Sequence, residues 1–298
     1  MQLSYYRTPL LLFLGGAILF VILLFVLSVS FPIDSVGLDI PPEVLAMDLF
    51  LLFCAMLPLS ALIGGLLGFI LAPMYLFIHQ KTIGRKVVYG IEEQAHGPTF
   101  NKTFQAFFPA LMAINFAMIL VSPNIMAFIL RPEQIQSPEY VNSFLPSFLG
   151  ILLLTLGIAM VLFSPTWFLS DAGLVYLNRE KVEGKGQPVE ARTVGGWYHY
   201  LLRGYAGIGV LLSYYQFLSV IITEIEYVSP TDAAVQAVVL ISVPTILLLL
   251  LPIFLALLTI PAIILLDIMK PFRIDYVRKI AKKLGISKYV RISFEEIG

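Results

Sequence analysis

Charge is what this 298-residue chain has least of: only 13% of its positions are Asp, Glu, Lys or Arg, while 59% are apolar. A soluble domain carries roughly a quarter charged residues, so an ordinary globular fold is excluded at the level of composition. Cysteine occurs once, as Cys54. That excludes an intramolecular disulfide and any cysteine-pair metal or redox centre, and Cys54 reads as a small apolar packing residue. The three histidines, His79, His96 and His199, are far apart in sequence and sit in or beside loops. They are expected to act as ordinary interfacial residues, and no metal or other cofactor is expected. The chain has no H-E-x-x-H, G-x-S-x-G or phosphate-binding Walker loop.

Six stretches lack charge and histidine altogether: Pro9 to Phe31, Leu49 to Ile78, Phe104 to Leu130, Phe144 to Leu169, Gly204 to Thr223, and Ala233 to Leu266. A spanning helix needs about 20 mostly apolar residues, because the hydrocarbon core is about 30 Å thick and each helical residue rises about 1.5 Å. Backbone amides in lipid must be satisfied within the segment, and these runs lack the alternation of barrel strands. The expected fold class is therefore an all-α integral membrane protein. It has a six-helix transmembrane bundle over residues 1–270 and a basic amphipathic tail over 271–298.

The remaining charges sort by sign. All but one of the 19 basic residues fall before the first span, between spans two and three, between four and five, or after six; Arg131 is the exception. The opposite loops carry Asp34, Asp39, Glu43, Glu133, Glu139, Glu226 and Asp232. The positive-inside rule then makes this a multi-pass cell-membrane protein with both termini cytoplasmic. The basic residues track the membrane face, so no nucleic acid partner is expected; the lipid bilayer is. The first apolar run has no small-residue cleavage site after it and reads as a retained span.

No non-spanning stretch is long enough for its own core, so any energising domain would be a separate cytoplasmic or membrane-protein partner. Residues 81–102 are expected to hold a short helix and residues 178–196 a flexible connector. The segments around Pro73, Pro165 and Pro261 recur at near-equal intervals, which is consistent with three helical hairpins. Prolines in spans two and six predict kinks there. Gly64 and Gly68 form a G-x-x-x-G, and Gly204, Gly207 and Gly209 cluster at the start of span five; both sets predict close helix packing.

In the tail, Ile274, Val277, Ile280 and Leu284 recur at helical spacing. Arg273, Arg278, Lys279, Lys282 and Lys283 take the remaining surface, as a face for anionic lipid or a partner. Neutral polar residues inside the spans are expected to bond between helices. Asn115, Asn124 and Gln216 are the costliest to leave unpaired, so a solute path is placed among them.

Family tests exclude more than they include. The Asn-Pro-Ala half-helices of aquaporin-like channels are absent, as are the intramembrane His/Asp pairs of cation diffusion carriers. The acids after the odd-numbered spans lack the partner cations of mitochondrial-type carriers. Glu92 and Glu93, followed by His96, lack the arginine and later paired histidines of CAAX-type intramembrane proteases. Elimination leaves a transport-related permease or channel-like subunit as the leading expectation. The alternative is a structural or assembly subunit of a membrane complex. Third comes an intramembrane enzyme with a cavity near Glu92, Glu93 and His96, a class that the absence of buried ionisable groups disfavours.

Overall fold

Long apolar runs without a competing polar pattern form helices, because only helix satisfies their backbone without outside partners. The computed structural model describes residues 6–30, 47, 48, 50–92, 106–130, 138–178, 191–225, 245, 248, 250–286, 289 and 290. Its helices are α1 (Arg7–Ser30), α2 (Leu57–Ile83), α3 (Phe107–Leu130), α4 (Pro138–Asp171), α5 (Val194–Ile225), α6 (Leu250–Leu258), α7 (Ile260–Ile268) and α8 (Lys270–Lys283). By length and composition, the helices Leu52–Ile83 and Ser147–Asp171 are able to cross a membrane, and α6 with α7 makes a third. The described chain is thus mostly helical, with two to three candidate membrane spans. Residues 233–244 of the expected sixth span lie outside the described residues.

The prolines act locally, in two ways. α6 and α7 meet at a 43° bend. Pro261 has no amide to offer the Leu257 carbonyl, and its ring presses on that turn. Around the bend the ladder persists: the Thr259 amide donates to the Leu255 carbonyl at 3.0 Å and the Ile263 amide to the Thr259 carbonyl at 3.2 Å. In span two, by contrast, Pro73 lies inside the continuous helix α2. The irregularity there is a π-helical turn over Leu52–Met56, next to Pro58, whose ring would otherwise crowd the Cys54 carbonyl.

The described fold is not purely helical, which corrects the all-α expectation. Four strands, β1 (Val87–Glu92), β2 (Leu174–Asn178), β3 (Arg192–Thr193) and β4 (Tyr289–Val290), form one sheet in the order β3-β2-β1-β4. β1 and β2 are antiparallel with Val87 opposite Asn178 and Ile91 opposite Leu174, and β4 adds parallel to β1 at Ile91 and Glu92. Within the 81–102 segment, where a short helix is expected, Val87–Glu92 is a strand; residues 93–102 lie outside the described residues. Val87, Val88 and Tyr89 favour a half-buried pleated surface, and β2 supplies the ladder partners they need. The connector expected after Asn178 ends in β3; residues 179–190 lie outside the described residues.

Contacts divide the chain into two units. The first comprises Met1–Ala61, Phe100–Ala159 and Tyr205–Ile263. Alanines at 61, 110, 113, 117, 159 and 206 are buried at its helix contacts, where a small side chain lets backbones approach. Hydroxyls link the helices: Ser60 Oγ donates to the Leu153 carbonyl at 2.7 Å, and Tyr214 Oη to Thr245 Oγ1 at 2.9 Å. Large aliphatics such as Leu120, Leu154, Ile158 and Leu211 face outward, a surface suited to lipid.

The second unit comprises Leu62–Thr99, Met160–Gly204 and Ile264–Gly298, and it holds the sheet. No single stretch supplies it; three segments far apart in sequence, parts of the expected spans among them, come together in it. Two glycines shape its turns. Gly173 (φ 71°) ends α4 in the left-handed region and passes the chain to β2. Gly285 (φ 84°) ends α8, with the Ile286 amide donating to the Ala281 carbonyl at 2.9 Å and the Gly285 amide to the Lys282 carbonyl at 3.0 Å. At the start of α5, Thr193 Oγ1 caps the helix by accepting from the Gly196 amide at 3.0 Å.

Candidate functional site

The polar residues singled out in the spans have different fates. Asn115 is fully buried in α3; its Nδ2 donates to the Leu111 carbonyl at 2.7 Å, and its own carbonyl accepts from Ser213 Oγ of α5 at 3.0 Å. Its side-chain Oδ1 has no hydrogen-bond partner among the described residues. Gln216 is half-buried on α5, three residues beyond Ser213, so the fold brings Asn115 and the Gln216 helix together. The Asn124 side chain lies outside the described residues.

The glycines also diverge. Gly64 and Gly68 are buried, and Gly68 lies against Ser164 and Pro165 of α4. Ser164 Oγ closes that contact by donating to the Gly65 carbonyl at 2.9 Å. Gly209 faces Asn115, whereas Gly204 and Gly207 are exposed and meet nothing within 4 Å among the described residues.

The tail cations separate into two sets. Lys279, Lys282 and Lys283 are exposed. Arg273 is only 1% exposed, among the chain's most buried side chains. Its Nη2 is 3.4 Å from Asp171 Oδ2 and 3.9 Å from Asp267 Oδ1, Lys270 Nζ is 3.8 Å from Asp171 Oδ1, and the Arg273 guanidinium lies over the Phe168 ring at 4.8 Å. Burial pulls the Arg273 guanidinium below its ordinary value, and Asp171 and Asp267 counter by favouring its charge. Five residues further along α8, Arg278 donates to the Ala172 carbonyl at 3.0 Å and the Glu92 carbonyl at 3.3 Å. The inward face of α8 is thus Arg273, Val277 and Ala281, turned from the expected apolar stripe. Together these groups fasten the ends of α4, α7 and β1 to α8.

A second cluster surrounds His79, near the end of α2. Its Nδ1 is 2.7 Å from Tyr89 Oη on β1, and its ring lies 4.9 Å from that of Tyr176 on β2 and 5.3 Å from that of Trp197 on α5. Tyr75, one turn earlier, stacks on Tyr198 at 4.4 Å, and Tyr198 Oη donates to the Tyr75 carbonyl at 2.8 Å. Burial pushes the Tyr198 hydroxyl up to about 12, with Tyr75 adding to the shift. Tyr89 is raised further, again by burial first and then by Tyr198 and Tyr176. These phenols are neutral hydrogen-bonding groups at any physiological pH. From the sequence, Tyr75, Tyr176, Trp197 and Tyr198 are expected in a membrane interface belt; the place of Tyr89 beside them, and the strand pairing that gathers these rings round one histidine, were not visible there.

No group of three His, Cys, Asp or Glu among the described residues suits a metal. Glu92 is buried on β1, while Glu93 and His96 lie outside the described residues.

His199 in the first turns of α5 gives a pH prediction. Burial, aided by Arg203, lowers its pKa to about 4 from the usual 6.5. The fold therefore accommodates the neutral ring: the stabilisation is fully present above about pH 6.5 and is lost as pH falls through about 4. Thermal unfolding in detergent should fall by more between pH 7 and 4 in the parent chain than in His199→Phe. Identical pH slopes for the two would rule the effect out.

The fold and these clusters define a mostly helical protein with membrane-length helices whose described ends are tied by buried charge and aromatic contacts. Comparison with protein-family models, curated proteins and solved structures finds no match.

Proposed function

We propose that the chain is a six-span cell-membrane protein with cytoplasmic termini and a transport-related role, as a permease or channel-like subunit without its own energising domain. The observation that carries this reading is Asn115 Oδ1, a fully buried amide oxygen with no partner among the described residues. Leaving such a group unmade costs about 1–3 kcal/mol, a cost offset where a polar species enters the bundle to meet it. The bent α6–α7 pair supports it, since broken helices at depth are a recurring feature of transporters.

Proteoliposomes holding the purified chain should pass at least one of glycerol, urea or potassium ions faster than empty liposomes in stopped-flow light scattering. Asn115→Leu should slow that flux by about tenfold, the kinetic equivalent of one buried polar contact. Absence of flux across this panel and a wider radiolabelled set would count heavily against the proposal.

A second reading, a structural or assembly subunit, is favoured by the hydroxyls of Ser60, Ser164 and Ser213, each spent on a carbonyl of a neighbouring helix. It predicts stable co-purification with a membrane partner and no flux.

A further inference from the structure

The outward stripe of α2 is apolar through Ile63, Leu67, Ile70, Met74, Phe77 and Ile78, all exposed, and then turns basic at exposed Lys81, Arg85 and Lys86. Lys81 Nζ lies over the Phe77 ring at 5.5 Å, on the boundary between the two regimes. A second such passage is made by α7 and α8, where exposed Leu265, Ile268 and Phe272 give way to exposed Lys279, Lys282 and Lys283. Asp275 is the only acid among the exposed residues of α8. The basic ends of both stripes meet: Gln80 Nε2 donates to the Leu284 carbonyl at 3.3 Å, fixing the end of α2 against the end of α8. The ends of α2 and α8 that carry these cations, some two hundred residues apart in sequence, are thereby brought together, and both elements have apolar surface that faces outward.

We propose that Lys81, Arg85 and Lys86 of the α2 end, together with Lys279 and Lys283 of α8, form one composite docking surface for anionic phospholipid headgroups. Arg273 and Arg278 are not part of it, because their guanidinium groups are committed to internal acids and carbonyls. The partner chemistry follows from the pattern: acyl chains against the apolar stripes, phosphate against the cations where those stripes end. This surface rests on the membrane reading above but not on transport, so its test is independent of flux.

The experiment is native mass spectrometry of the full chain in detergent, titrated with phosphatidylglycerol and, separately, phosphatidylcholine. The parent chain should retain phosphatidylglycerol preferentially, and the double variant Arg85→Gln, Lys283→Gln, with one cation removed from each element, should weaken that binding by about thirtyfold, two cations at roughly 1 kcal/mol each. The conservative pair Arg85→Lys, Lys283→Arg should retain it, as should Arg192→Gln, an exposed cation on β3. Equal retention of the two lipids by the parent chain, or unchanged phosphatidylglycerol binding in the double glutamine variant, would overturn the proposal. Retained binding in the conservative pair separates loss of charge from loss of fold.

Discussion

Arg273→Met unfolds about 3–5 kcal/mol more easily than the parent chain, the usual penalty when one member of a buried ion network is removed. Asp171 is 4% exposed and Asp267 8%, so neither carboxylate gains water when the guanidinium goes. Lys270 reaches Asp171 from a more exposed position and at 3.8 Å, too weakly placed to substitute. The cation stacked on Phe168 is lost as well. Removing all the charges together is a different matter: the triple variant Asp171→Asn, Asp267→Asn, Arg273→Met should recover most of the loss, because the large term is the uncompensated charge and not the pair's net attraction. Chemical unfolding in detergent, read by circular dichroism, measures both. An Arg273→Met midpoint equal to that of the parent would mean that this network does not hold the helix ends.

Gly195→Ala is the second large effect. A methyl group at Gly195 would overlap the Thr166 carbonyl oxygen and come within 2.8 Å of the Ser170 amide nitrogen. Both are backbone atoms of α4, which cannot swing aside as a side chain does, so the start of α5 must back away. Overpacking of this kind costs roughly 1–3 kcal/mol. Gly204→Ala, on the same helix with nothing within 4 Å, is the control. There alanine should be neutral or stabilise by up to about 1 kcal/mol through helix propensity. Equal stabilities for the two variants would show that the contact between α5 and α4 is looser than described. Gly195 carried no signal of its own in the sequence, where it is one of several glycines in an apparent connector.

What was legible, and what was not, divides along the range of the interaction. The apolar runs that became α2, α4 and the bent α6–α7 pair were visible because helix in an apolar run is decided within the run itself. The bend near Pro261 was equally local, since a missing amide acts on its own turn. At Pro73 the helix continues without a break, and the irregular turn in that span sits next to Pro58. The strands were within reach of the sequence in part. Val87-Val88-Tyr89 and Val175-Tyr176 have the β-branched and aromatic content of strands, but each is too short to be stable without the other, and their pairing spans some ninety residues.

Arg273 shows the limit most clearly. In the sequence it is one cation among several on a basic amphipathic helix, with the spacing of Ile274, Val277 and Ile280 pointing inward. In the fold, Ala281 admits close approach and the Asp171 and Asp267 carboxylates at other helix ends lie within 4 Å of the guanidinium, so α8 turns and Arg273 goes in. The sequence by itself determined that this chain is greasy, helical and short of charge in its long runs, because transfer of peptide groups and side chains out of water is a property of each segment alone. Only the tertiary structure decided which few charges are buried, which aromatics surround His79, and which lysines stay outside, because those outcomes depend on partners that distant segments bring.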